Sequence, residues 1–159
     1  MNKKMKIYDS LYNRLQTQHL AIEPIIAGIS NERLLQNPAP GKWSIQNNLA
    51  HLMRYQQVFN ERITRMLAED QPLFERYSAD ADPQFEPYLS LPVKTLLEIY
   101  NPDRAMLFER LTNLNETELV RVGIHPKYGR LTILQWVEFF ALHEAHHLFT
   151  IFQLANNTL

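Results

Sequence analysis

Apolar side chains recur every three to four residues along four stretches of this chain, the period of an amphipathic α-helix, and that rhythm limits the fold more than any other feature. The first stripe is Tyr8, Leu11, Leu15, Ile22, Ile25 and Ile29, with Gln18 in the gap. It predicts a helix over about residues 5–28, its last turn kinked or loosened by Pro24, which lacks a backbone donor. The second follows Pro38-Ala39-Pro40-Gly41-Lys42, takes Ser44 as N-cap and runs to about residue 69 with Leu49, Leu52, Phe59, Ile63 and Met66 inward. The third carries Val93, Leu97, Tyr100, Leu107, Leu111 and Leu114, with a kink or late start expected at Asn101-Pro102. The fourth, about 132–155, carries Trp136, Phe140, His143, His147, Ile151 and Leu154.

Four such helices make an all-α four-helix bundle. The gaps choose its wiring. Residues 70–91 hold Pro72, Pro83 and Pro87 and are long enough to run the length of a bundle, which sets helix three parallel to helix two; 115–131 is a second, less clear connection. The expected topology is up-down-down-up.

At 159 residues, with 45% apolar and 21% charged side chains and four glycines, the chain suits one domain spanning 1–159 with a sizeable core. The net charge of −1, without a basic stripe, leaves no footprint for nucleic acid. No apolar run approaches the roughly 20 residues that span a bilayer. The basic start, Met1-Asn2-Lys3-Lys4-Met5-Lys6, meets Tyr8, Asp9 and Ser10 too soon for a signal peptide, so a cytoplasmic location is expected. Cysteine is absent and histidine occurs six times, which excludes disulfides, a cysteine nucleophile and thiolate zinc sites and leaves imidazole ligation open.

Helix four contains His143-Glu144-Ala145-His146-His147. Residues four apart share a helix face, so His143 and His147 can aim at one point on the stripe assigned to the interior. Tight metal binding needs a third ligand, and His51, on a stripe with Tyr55 and Val58, is the best candidate. Three neutral imidazoles with open positions suit a catalytic divalent ion such as zinc, nickel, iron or copper. The plainer alternative makes His143 and His147 core histidines bonded to carbonyls. His146 projects about 100° from His147 and can only line the rim. His19 is expected to have no chemical role. Arg104, between Tyr100 and Leu107 on an apolar stripe, needs either an internal carboxylate or an anionic substrate group. Glu144 is a candidate base or partner to a ligand imidazole, although its offset favours a solvated face. His125 and Tyr128, just before helix four, are candidates to close over the bundle end, and Trp43 to pack near His51.

The run Pro40-Gly41-Lys42-Trp43-Ser44, then Ala50-His51-Leu52, then His125-Pro126-Lys127-Tyr128-Gly129, then His143-Glu144-Ala145-His146-His147, resembles the DinB superfamily across almost the whole chain. Many relatives have Asp where this chain has Glu144 and Asn where it has His146. The resemblance implies an up-down-down-up four-helix bundle, often a homodimer, with a divalent metal on His51, His143 and His147. Zinc or nickel lead the expectation, with iron or manganese after them. It also implies a small-molecule substrate, handled by thiol transfer with bacillithiol, mycothiol or glutathione, or by metal-dependent hydrolysis. Glu144, Arg104 and His125 are then the catalytic candidates. With no cysteine in the chain, any thiol must come from a cosubstrate. A non-catalytic metal-binding or interaction protein of the same fold is the competing expectation.

Overall fold

The computed structural model describes residues 6–158; Met1–Met5, with the basic start and the expected beginning of helix one, lie outside them. The first predicted helix is broken into α1 (Asp9–Thr17), a 3-10 turn (Gln18–Ala21) and α2 (Ile22–Ile26). Pro24 accounts for the break, though one turn earlier than expected. Its ring crowds the carbonyl four residues back, at Leu20, and it cannot donate to it, so the chain tightens there. A short α3 (Asn31–Leu35), absent from the sequence reading, is capped by Ser30, whose side chain accepts from the Arg33 amide.

Helix α4 (Ile45–Ala68) starts where expected: the Ser44 hydroxyl accepts from Asn47 N at 3.1 Å while the Asn47 amide oxygen accepts from Ser44 N at 3.0 Å. The crossover that follows holds a 3-10 turn (Ala79–Ala81) and α5 (Glu86–Leu89). Helix α6 (Val93–Thr112) begins at its first apolar residue and runs on through Pro102, so the late start does not occur. After α7 (Glu116–Leu119) come strands β1 (Val122–His125) and β2 (Gly129–Thr132), then α8 (Ile133–Ala155), capped by Thr132 and Gln135. The antiparallel β1–β2 hairpin, in register Val122↔Thr132 through His125↔Gly129, departs from the purely helical chain expected of the sequence. Gly129, at φ +73°, closes its turn. The crossover pairs with it as well: Ile124 N donates to Pro72 O at 2.9 Å and Phe74 N to Ile124 O at 3.0 Å.

Cross-helix partners give the topology. From the crossover's end through α6 the residue numbers climb with those of α4, Gln46 with Leu89 and Leu91 just before α6, then Gln56 with Tyr100 and Arg104 and Asn60 with Arg110 within it, so α4 and α6 are parallel. Between α4 and α8 they run in opposite senses, Asn48 with His147, His51 with His143, Phe59 with Phe140. Arg14 pairs with Glu138 and Gln18 with Ala141, which makes α1 parallel to α8. The bundle is therefore up-down-down-up.

Its core has two apolar clusters. One gathers Leu11, Phe59, Leu107, Trp136 and Phe140; the other gathers Ile22, Leu49, Met53, Leu96, Leu148 and Ile151. Along α8 the residues between Ala141 of the first cluster and Leu148 of the second include His143, Glu144 and His147. The bundle thus carries a polar belt between two greasy ends.

Candidate metal centre

In that belt one ring nitrogen from each of His51, His143 and His147 lies within 4.8 Å of the other two. Helix α8 supplies two imidazoles one turn apart and antiparallel α4 brings the third across. His51 Nε2 and His143 Nε2 are 3.1 Å apart. Two nitrogens held about 2.0–2.1 Å from one ion, at about 90–110°, sit about 2.9–3.4 Å apart, so this spacing fits a shared cation.

His147 is oriented from behind. Asn48 Nδ2 donates to Ser44 O at 2.8 Å, which turns its amide oxygen toward His147 Nδ1, 2.8 Å away. The His147 proton therefore sits on Nδ1 and its Nε2 lone pair is free for a ligand bond. The Nδ1 atoms of His51 and His143 are buried without a hydrogen-bond partner. A lone Nε2–H···Nε2 bond would occupy one ring's lone pair only, whereas an ion uses both Nε2 lone pairs at once and puts the proton of each ring on Nδ1.

Burial keeps all three rings neutral, as ligation requires. Desolvation, reinforced by neighbouring imidazoles, lowers His143 to about 2 and His147 to about 3; desolvation lowers His51 to about 4. Aromatic walls account for the dryness: Trp43 lies 4.9 Å from the His51 ring centroid, Tyr77 5.8 Å, Phe85 6.2 Å, and Tyr55 stands 4.0 Å from His143. Trp43 packs over His51 and His147, as expected of it.

The histidines open into a cleft of about 770 Å³, lined also by Tyr55, Arg62, Tyr77, Asp80, His125 and Tyr128. The crossover forms one wall, held down by Asp82, which accepts from Arg54 Nε at 2.7 Å and from Tyr77 Oη at 3.1 Å. The hairpin forms another. His125 ends β1, and its Nδ1 accepts from the amides of Lys127 and Tyr128 at 3.0 and 3.1 Å. Backbone amides only donate, so neutral His125 carries its proton on Nε2 and can offer a hydrogen bond. Tyr128 stacks on it at 4.7 Å.

Arg104 and Glu144 lie elsewhere. Both are 1% exposed and bonded to each other, and neither lines the cleft. The solvated face expected of Glu144 is corrected: α8 packs against α1 and α6 as well as α4, so Glu144 points inward to Arg104, Tyr100 and Gln18. For Arg104 the internal carboxylate is the alternative realised. His19 is buried at 6% exposure against Tyr100, lowered to about 4 by desolvation and by the Arg104 charge. His146 is exposed and lines an adjoining surface cleft with His147, in keeping with a rim position. The sequence reading missed Asn48, Arg62, Tyr77 and Asp80. Extending the His51 stripe by i−3 and i+11 would have found the first two; the others depend on how the crossover folds.

The sequence profile of the DinB superfamily matches residues 14–151. YuaE of Bacillus subtilis, whose function is uncharacterised, is 28% identical over 138 residues, covering 77% of this chain and 83% of its own. OB0782 of Oceanobacillus iheyensis, provisionally named a metal-dependent hydrolase, is 22% identical over 142 residues, 89% of this chain and 82% of its own. Among solved structures, YfiT from Bacillus subtilis, described as a probable metal-dependent hydrolase with an unusual four-helix bundle topology, superposes with a TM-score of 0.82 at 17% identity, covering 94% of this chain and 86% of its own. TT2238, a four-helix bundle protein, gives a TM-score of 0.66 at 20% identity, over 90% and 96% of the two chains. With its profile match running from α1 to the last turns of α8, the chain belongs to the DinB superfamily.

Proposed function

We propose that this protein is a metal-dependent enzyme that holds a divalent transition ion, zinc or nickel before iron or manganese, on His51, His143 and His147. The observation that carries this reading is the convergence of three neutral imidazoles at the floor of an open cleft of about 770 Å³. An ion bound there supplies Lewis acidity, which favours the deprotonated form of a water or thiol at neutral pH. The protein's own part is orientation and exclusion. Asn48 sets the tautomer of His147, and Trp43, Tyr77 and Phe85 keep bulk water from the imidazoles. His125, with its proton on Nε2, is placed to hydrogen-bond a substrate oxygen or a leaving group.

The reaction is hydrolysis of a small molecule, or attack by a low-molecular-weight thiol on an electrophile. In the second case the thiol is a cosubstrate, because the chain has no cysteine. Arg104 and Glu144 act here by holding the bundle rather than by touching substrate. The family resemblance adds a homodimer, for which exposed Leu142, Phe149 and Phe152 on α8 offer an apolar face; sedimentation velocity decides it. Among the described residues no helix is long and apolar enough to cross a membrane.

Untagged protein is to be assayed for transition metal and for turnover on ester, amide and thiol-plus-electrophile panels, beside His147→Ala. One ion per chain in the wild type, lost with activity in the variant, is expected. No stoichiometric metal in either sinks the metal reading; metal without turnover shifts the protein to the non-catalytic alternative.

A further inference from the structure

We propose that the cleft takes a small molecule bearing an anionic oxyacid group, a carboxylate, phosphate or sulfonate, and that Arg62 binds that group while the reacting end faces the histidines. This deepens the reading above and rests on it.

Three arginines are buried among the described residues: Arg54, Arg62 and Arg104. Two have acids: Arg54 holds Asp82, with its Nε 2.7 Å from the carboxylate, and Arg104 holds Glu144. Arg62, only 8% exposed, has no carboxylate within ion-pair distance among the described residues. It donates to Glu75 O at 2.9 Å, and its guanidinium carbon lies 5.4 Å from the Phe74 ring centroid and 5.3 Å from that of Trp136. One carbonyl and two rings fix where the fork sits but do not neutralise it. A buried cation without a counter-charge is costly, and the side of Arg62 that is left open belongs to the cleft wall.

Its place suits a substrate. Arg62 follows His51 by eleven residues, about three helical turns, so it shares the face of α4 with His51 and Tyr55. It lines the same cleft as the histidine cluster and as His125 and Tyr128 of the hairpin. Arg76 and Lys127 add positive charge to the same cleft, against the one carboxylate of Asp80. An oxyanion that offers two charged acceptor oxygens side by side matches a guanidinium fork in a way a neutral amide does not. The substrate's own acid thus does for Arg62 what Asp82 does for Arg54.

Calorimetric titration of the zinc-loaded protein with benzoate, phenylphosphonate and neutral benzamide tests this. Both anions should bind at least tenfold more tightly than benzamide, and the preference should persist after chelation. Arg62→Gln should weaken anion binding at least tenfold with zinc content unchanged, and Arg62→Lys should weaken it less. Equal affinity for benzoate and benzamide overturns the proposal. So does anion affinity that survives Arg62→Gln but disappears on chelation, because the ion alone would then hold the acid. If Arg62→Gln does not fold, the wild-type preference after chelation and the Arg62→Lys titration decide by the same criteria. Failure of the metal reading looks different: no stoichiometric zinc, with Arg62-dependent anion binding intact.

Discussion

Asn48 decides which nitrogen of His147 is available, and the centre depends on that choice. Replacing it with Ala removes the acceptor for His147 Nδ1 while leaving the three candidate ligands untouched. Metal affinity should fall about 10- to 100-fold, as for other partners of ligand imidazoles, measured by competition with a chelator while the helical circular dichroism stays unchanged. Acid should act on the same residues. His51, His143 and His147 are held at about 4, about 2 and about 3 in the folded chain, against about 6.5 when unfolded. Below pH 6.5 the unfolded chain takes up protons that the native state refuses. The stability of chelated protein should therefore be fully present above that pH and fall as the pH drops toward 4, by about 1.4 kcal/mol per pH unit for each histidine that titrates only on unfolding. Urea titrations at pH 7 and pH 5 measure the difference; a flat profile would mean that the rings are solvated and the dry pocket is wrong.

At the scale of elements, legibility followed locality. The start of α4 could be read because its cap, Ser44, is local chemistry, and that of α8 because its apolar stripe has helical spacing. The three histidines could be read because i,i+4 spacing and a shared inward stripe are helical geometry. The hairpin could not, since it is completed by Pro72 and Phe74 from a crossover some fifty residues away in sequence. Glu144 was misjudged for a related reason: one stripe per helix is the wrong picture for α8, which is covered on several sides. Gly123 on β1 is the residue on which this non-local join depends. A Cβ there would stand 2.5 Å from Met66 Sδ and 2.7 Å from Phe74 Cε2, so hairpin, α4 and crossover meet only around a bare backbone. Gly123→Ala should cost about 1–3 kcal/mol, read from the midpoint of chemical denaturation, as overpacking does elsewhere. Because the hairpin presents His125 to the cleft, the same variant should also lose activity at temperatures where it remains folded.

Over the whole molecule, one buried cluster ties together the segments that set the topology. Arg104 of α6 donates to Gln56 Oε1 of α4 at 2.6 Å, to Glu144 of α8, and to Leu15 O of α1 at 3.5 Å. Tyr100 donates to Glu144 as well, and Gln18 Nε2 adds 2.9 Å bonds to Glu144 Oε1 and Ala141 O. A bundle with two apolar clusters could slide or exchange helices at modest cost, since greasy faces are tolerant partners. A guanidinium and a carboxylate in the belt between them are not, because any other register leaves a charge buried alone. Glu144→Ala should therefore destabilise the protein by about 3–5 kcal/mol, the usual consequence of breaking one side of a buried pair. Arg104→Met combined with Glu144→Ala should recover part of that loss by removing the orphaned cation, which a double-mutant cycle in urea measures. Both variants should still bind one metal ion per chain at temperatures where they are folded, because the three histidine nitrogens do not depend on this cluster for a proton or a hydrogen bond. Loss of turnover in folded, metal-replete Glu144→Ala would instead assign the carboxylate to the chemistry. The resulting contrast is between Arg104, whose counter-charge is built into α8, and Arg62, whose counter-charge must arrive with the substrate.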